Sequence, residues 1–183
     1  FDCREMFRHA CDFFYCANLC KTFWQEDDKD LRPRVVPEAV NLAFSCEIFL
    51  KTLLLFNDVK YKRKHKLKDL FNELPQKYKT EIKDRCFLEY GVLHDSFGFS
   101  LLSNVSDAFE KWRYCYEHHN LQLEIGFLSI FAARCSARFF CSEREKSYVC
   151  GLRSVFHEAH VPAKNHFVLF CVCGRKTLRG HFL

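Results

Sequence analysis

The stretch Ala39-Val-Asn-Leu-Ala-Phe-Ser-Cys-Glu-Ile-Phe-Leu-Lys-Thr-Leu-Leu-Leu-Phe56 decides the fold. Its apolar residues recur at helical spacing but cover nearly the whole circumference. A helix that is apolar all round must be covered on every side, so this one is the centre of a helical bundle. With Pro37 or Glu38 in its first turn, the spacing predicts a helix over 38–57. Glu47 and Lys51 interrupt the run, so it lacks the roughly eighteen uncharged apolar residues of a membrane span. The expectation is a buried core helix and no membrane partner.

Around this centre the pattern stays helical. Phe7, Ala10, Cys11, Phe14 and Ala17 mark a first helix over about 3–24. The charged run Glu26-Asp-Asp-Lys-Asp30 makes a solvated loop, and Pro33 and Pro37 keep the chain extended before the second helix. Leu67, Leu70, Phe71 and Leu74 mark a short amphipathic helix ending before Pro75. A further helix covers 76–90 and stops at Gly91. After a loop with Gly91 and Gly98, Ser103, Asn104 or Ser106 is placed to cap a helix whose stripe is Val105, Phe109, Trp112 and Tyr116, running to about 119. Leu121 to Ile125 reads as a strand or an extended entry, and a last helix spans about 126–140. Six Gly and four Pro in 183 residues give few turns, consistent with helices. The expected fold is all-α: an up-and-down bundle of about five helices over 1–140, with a basic, Cys/His-rich, irregular tail over 141–183. Within that tail, Val168 to Val172 has strand character.

Charge separates the two parts. Residues 1–133 hold 19 Lys/Arg against 20 Asp/Glu, whereas residues 134–183 hold 9 against 3. The tail carries the whole positive excess, which favours polyanions without selecting one. Among the twelve cysteines, Cys11, Cys46, Cys86 and Cys115 sit within Phe- and Leu-rich helical patterns. Used this way, cysteine is a small hydrophobe, which points to a reducing, cytoplasmic setting. No secretory signal pattern is visible.

The stretch Asp107-Ala-Phe-Glu-Lys-Trp-Arg-Tyr-Cys-Tyr-Glu-His-His119 carries the candidate chemistry. On a regular helix Arg113 shares a broad face with Phe109, Trp112 and Tyr116, which aims the guanidinium at the core or a cleft beside it. A charge there needs a partner. Glu117 lies four residues on, and Glu47 lies in the apolar second helix, although Lys51 can satisfy Glu47 locally. One reading is a structural charge cluster that locks two helices in register. The other adds His118: an imidazole can move a proton near neutral pH, and a fixed guanidinium can stabilise negative charge on a phosphate. His118 lies about 140° round a regular helix from Arg113. A site shared across a dimer overcomes that divergence.

Several segments together resemble the HEPN family. Asn41-Leu-Ala-Phe-Ser-Cys-Glu-Ile-Phe-Leu-Lys51 resembles its second helix, and His65-Lys-Leu-Lys-Asp-Leu-Phe71 the segment that follows. Phe109-Glu-Lys-Trp-Arg-Tyr-Cys-Tyr-Glu117 resembles a Trp-Arg-Tyr variant of its motif helix, and Arg113 with His118 fits the family's Arg, four to six residues, His signature. The resemblance covers about residues 5–135. It implies a helical bundle that dimerises with its motif helices facing. It also implies a metal-independent endoribonuclease of toxin–antitoxin or phage-defence type, or else a non-catalytic module partnering a nucleotidyltransferase or another protein. In the first case RNA, a second copy and a protein antitoxin are the expected partners. Arg113 then holds the scissile phosphate and His118 is the acid/base, with His119 beside it. Glu47, Glu117 and Lys51 support them, and Lys62, Arg63 and Lys64 of the basic run 60–68 contact RNA phosphates. Active members carry a polar residue directly after the Arg, where this chain has Tyr114.

No cofactor and no metal is expected. Cys16 and Cys20 are one turn apart, and Cys171 and Cys173 lie near His157, His160 and His166, but no Cys-x-x-Cys occurs. Cys115 with His118 or His119 has thiol–imidazole spacing but no third group to orient it.

Overall fold

A computed structural model describes residues 2–22, 34–61, 64–90, 101–117 and 121–149 of the chain. Seven helices are present among them: α1 (Cys3–Thr22), α2 (Val35–Phe56), α3 (Leu67–Asn72), α4 (Gln76–Tyr90), the single turn α5 (Leu102–Asn104), α6 (Ala108–Arg113) and α7 (Ile125–Val149). The chain is an all-α bundle, as the periodicity predicts. The described residues contain no strand, and 121–124, before α7, has no regular secondary structure.

The second helix is the hub. α1, α3, α6 and α7 all pack on α2, and α4 packs on α7. Ala39, Ala43, Leu50, Leu53 and Leu54 are fully buried, as the all-round apolar pattern requires. On α1 the predicted stripe Phe7, Ala10, Cys11, Phe14 and Ala17 is the buried one. Phe7 stacks on Phe139 of α7 with centroids 4.5 Å apart and meets Phe49 of α2 at 5.5 Å, so one ring joins three helices. By length and composition, α2 and the first 20 residues of α7 could each cross a bilayer. In this fold 61% of each of these stretches is buried inside the bundle.

Local chemistry sets the ends of α2. Pro37 sits in the first turn, where an absent N–H removes no helical hydrogen bond. At the other end Asp58 takes φ 56°, the left-handed conformation. The Asp58 N–H reaches Leu55 O at 3.0 Å, and the Val59 N–H reaches Leu54 O at 2.9 Å. This is a Schellman closure with aspartate in the position that usually takes glycine.

Three boundaries differ from the sequence expectation. α6 ends at Arg113, several residues short of 119, and a 3-10 turn follows over Cys115–Glu117. Tyr116 is therefore 75% exposed and contributes nothing to a core stripe. Ala108 is the one buried residue of α6, and so short a helix needs packing to continue. Second, neither Ser103, Asn104 nor Ser106 caps α6; Asp107 occupies the cap position without a side-chain cap bond. Ser106 instead caps α3: its carbonyl accepts from Leu67 N–H (2.9 Å) and its hydroxyl from Lys68 N–H (3.0 Å).

Third, α7 passes straight through the expected boundary at 140 and on to Val149. Ser142 is buried, 3.0 Å from the Tyr78 hydroxyl, and Glu143 pairs with Arg4 at 2.6 Å. These contacts make the start of the expected tail part of the bundle. The rest of the tail, including the stretch 168–172 read as a strand, and the loop holding Gly91 and Gly98 lie outside the described residues.

The described cysteines are free thiols. Cys46, Cys86 and Cys135 are buried in the core, and burial raises all three thiols, that of Cys86 to about 12 from an ordinary 9.0. When folded they stay protonated above the pH at which the unfolded thiols ionise. The stability they contribute is fully present below pH 9 and is lost as pH rises from 9 towards 12. The urea midpoint should fall between pH 8.5 and 11, and Cys86→Ala should make that fall shallower. An equally steep fall in the variant would show that this thiol contributes none of it.

Candidate functional site

Arg113 lies at the last position of α6, exposed to solvent. Its Cζ is 4.9 Å from the Phe109 ring centroid and 4.7 Å from that of Tyr114. Phe109 stacks on Phe44 of α2 at 4.7 Å, and Phe44 meets Phe13 of α1 edge-on at 4.6 Å. Tyr114 in turn meets Tyr116 at 6.2 Å. A column of rings thus rises from between α1 and α2 to the surface, with the guanidinium resting on its outer end. Contacts of this kind are worth about 0.5–1 kcal/mol at exposed sites. They restrict where the guanidinium sits while its N–H donors keep access to a ligand.

The core-side placement of Arg113 does not occur. The regular helix it assumed stops at this residue, and Tyr114, with φ −117° and ψ 36°, turns the chain away. Nor do the expected carboxylates orient it. Among the described residues no ion pair joins Arg113 to Glu47 or to Glu117, and Glu117 is exposed in the 3-10 turn. His118 and His119 lie outside the described residues.

Glu47 is spoken for elsewhere. Its side chain is 2% exposed, and its Oε1 accepts from Lys51 Nζ at 2.6 Å and contacts His65 Nδ1 at 3.0 Å. Oε2 has no hydrogen-bond partner among the described residues. The Lys51 pair is the local one that its spacing offers. His65 comes from the loop before α3, a partner that spacing alone does not give. Lys51 also lies 5.8 Å from the centre of the Tyr61 ring.

Of the basic residues expected to meet RNA, Lys62 and Arg63 lie outside the described residues. Lys64 bonds Glu73 at the end of α3, so its charge is already matched. Lys60 and Lys66 are exposed on the same segment.

A second charged seam, not foreseen from the sequence, joins α4 to α7. Arg138 is 6% exposed, pairs with Glu81 at 2.8 Å and lies 4.1 Å over the Tyr78 ring. Arg134, one turn earlier, pairs with Glu89, and burial lowers its pKa. Glu81, Arg85, Arg134 and Arg138 border a shallow cleft with Ile82 and Cys141. The signal was available in principle: two arginines four apart in a Phe-rich helix imply carboxylates opposite.

Which cation is the counter-ion of Glu47 can be read from stability. Lys51→Met keeps the alkyl stem but removes a charged donor from a buried carboxylate, and should cost about 1–3 kcal/mol. Arg113→Met gives up an exposed cation–ring contact and should cost less than about 1 kcal/mol. Urea titrations of both variants check the order; the reverse order would make Arg113 the partner.

Comparison of the chain with protein-family models, with curated proteins and with solved structures gives no match.

Proposed function

We propose that the chain is a HEPN-type endoribonuclease that cleaves RNA without a metal, in which Arg113 binds the scissile phosphate and His118 transfers a proton. The observation that carries this reading is the exposed Arg113 guanidinium, held against Phe109 and Tyr114 where α6 ends. As packing, such a perch gains an arginine only about 0.5–1 kcal/mol. One that recognises phosphate needs a restricted but accessible fork of donors.

The early end of α6 bears on the chemistry as well. A regular helix would point positions 113 and 118 about 140° apart. Because the helix stops at 113, that divergence no longer applies, and the two residues can act together within one chain or across a homodimer. Cleavage then needs a base for the 2′-OH and positive charge at the phosphorus. A toxin–antitoxin or phage-defence role, with a protein antitoxin as partner, follows from the family resemblance alone.

A second reading is a non-catalytic HEPN-type module that binds a nucleotidyltransferase or another protein. It is favoured by one observation: Tyr114 and Tyr116, 40% and 75% exposed, stand beside Arg113 as aromatic anchors do at protein interfaces.

The two readings separate in a cleavage assay on a mixed RNA pool in EDTA. Wild type should cleave, Arg113→Ala should lower the rate by about 10²–10³-fold, and His118→Ala by about 10²–10⁴-fold, with thermal unfolding unchanged. Absent cleavage, or cleavage that survives both substitutions, would favour the interaction module.

A further inference from the structure

The buried carboxylate of Glu47 orients a second histidine. Glu47 accepts from Lys51 and, through the same Oε1, contacts His65 Nδ1 at 3.0 Å. An ionised carboxylate can only accept, so Nδ1 carries the proton of the neutral ring. The other nitrogen, Nε2, then holds a free lone pair. The His65 side chain is 52% exposed, whereas that of Glu47 is 2% exposed. This is the arrangement in which a buried acid fixes the tautomer and orientation of an imidazole whose far nitrogen works as a base.

The α2 residues that support Arg113 and His65 lie on adjacent turns of that helix. Phe44 supports the ring column under Arg113, and Glu47, three residues on, holds His65. The two segments are also fastened to each other. Ser106, just before α6, bonds the N–H groups of Leu67 and Lys68, just after His65. Among the described residues the charged group that meets His65 is Glu47, whose Oε1 is shared with Lys51, and Lys66 beside it is exposed to draw a polyanion.

We propose that His65, held by Glu47, is the general base of RNA cleavage in this protein, acting in the same protomer as Arg113. The inference rests on the ribonuclease reading above. His65 Nε2 takes the proton of a ribose 2′-OH. The 2′-oxygen forms a bond to the adjacent phosphorus, whose bond to the 5′-oxygen of the next nucleotide breaks. The departing 5′-oxygen takes a proton from water, leaving a 2′,3′-cyclic phosphate and a 5′-hydroxyl. His65 then returns its proton to solvent. Glu47 is a positioning residue in this scheme and touches no substrate.

The test uses the full chain and the same mixed RNA pool in EDTA. His65→Asn keeps an N–H where Nδ1 stood, so the tie to Glu47 and the fold should survive while the base is lost. Its thermal midpoint should match wild type, and its cleavage should fall by about 10²–10⁴-fold. His65→Gly leaves a solvent-accessible gap, and added imidazole should restore part of its activity, which it cannot do for Arg113→Ala. Wild-type rates in a folded His65→Asn, with Arg113→Ala inactive, would overturn the role of His65 and leave the ribonuclease reading standing. Loss of activity in both His65 variants without imidazole rescue would make His65 a structural tie and overturn the proposal. No cleavage by wild type would end both readings.

Discussion

A carboxylate inside a helix that is covered on every side constrains everything around it. α2 meets α1, α3, α6 and α7, and Glu47 lies in its buried part. An unpaired charge there would cost several kcal/mol, roughly. Lys51 arrives from the next turn of the same helix, and His65 from the loop ahead of α3. The route of that loop is therefore tied to the charge it answers. The same pairing leaves Glu47 no role as a counter-ion for Arg113, which lies on the outside of the bundle against aromatic rings. One interaction in the core thus accounts for the placement of the histidine and removes a role expected for the arginine.

The α4–α7 seam answers the same problem from the opposite sign. Arg134 and Arg138 bury long stems and cationic heads in a Phe-rich helix, and Glu81 and Glu89 meet them from α4. Tyr78 adds a ring beneath Arg138 and a hydroxyl near Ser142. Buried thiols fill the space between these polar contacts and the hub. Cys46 lies 3.6 Å from the Leu128 carbonyl across the α2–α7 contact, where its small side chain lets the helices approach.

Much of this fold was legible in the sequence because burial writes a period into it. The α1 stripe, the all-apolar α2 and the short helix before Pro75 are each a pattern of side chains with one physical reading. The candidate site was legible only in part. Arg113 stands out because a cation at that spacing needs an explanation, but the regular helix assumed for it stops too soon. Periodicity cannot register that stop, since Trp112 and Tyr116 continue the apolar spacing after the packing that sustains a helix has run out. His65 stands in a short basic run, yet nothing local links it to Glu47, eighteen positions earlier. The α4–α7 pairs were missed for the same reason. Long-range partners of buried charges are set by topology, which spacing within one helix does not encode.

The cap that Ser106 places on α3 has a consequence for how the chain acquires its structure. A six-residue helix cannot persist alone, because nucleation is costly and there are too few turns to repay it. Two of its first N–H groups are satisfied by a residue 38 and 39 positions away. α3 must therefore wait for the segment before α6 to dock, and the two consolidate as one cooperative unit. α1 and α2, joined by close helix-on-helix contact, can form earlier. Local opening of the α3 unit would loosen the segment that carries Arg113 and the one that follows His65 without unfolding the hub.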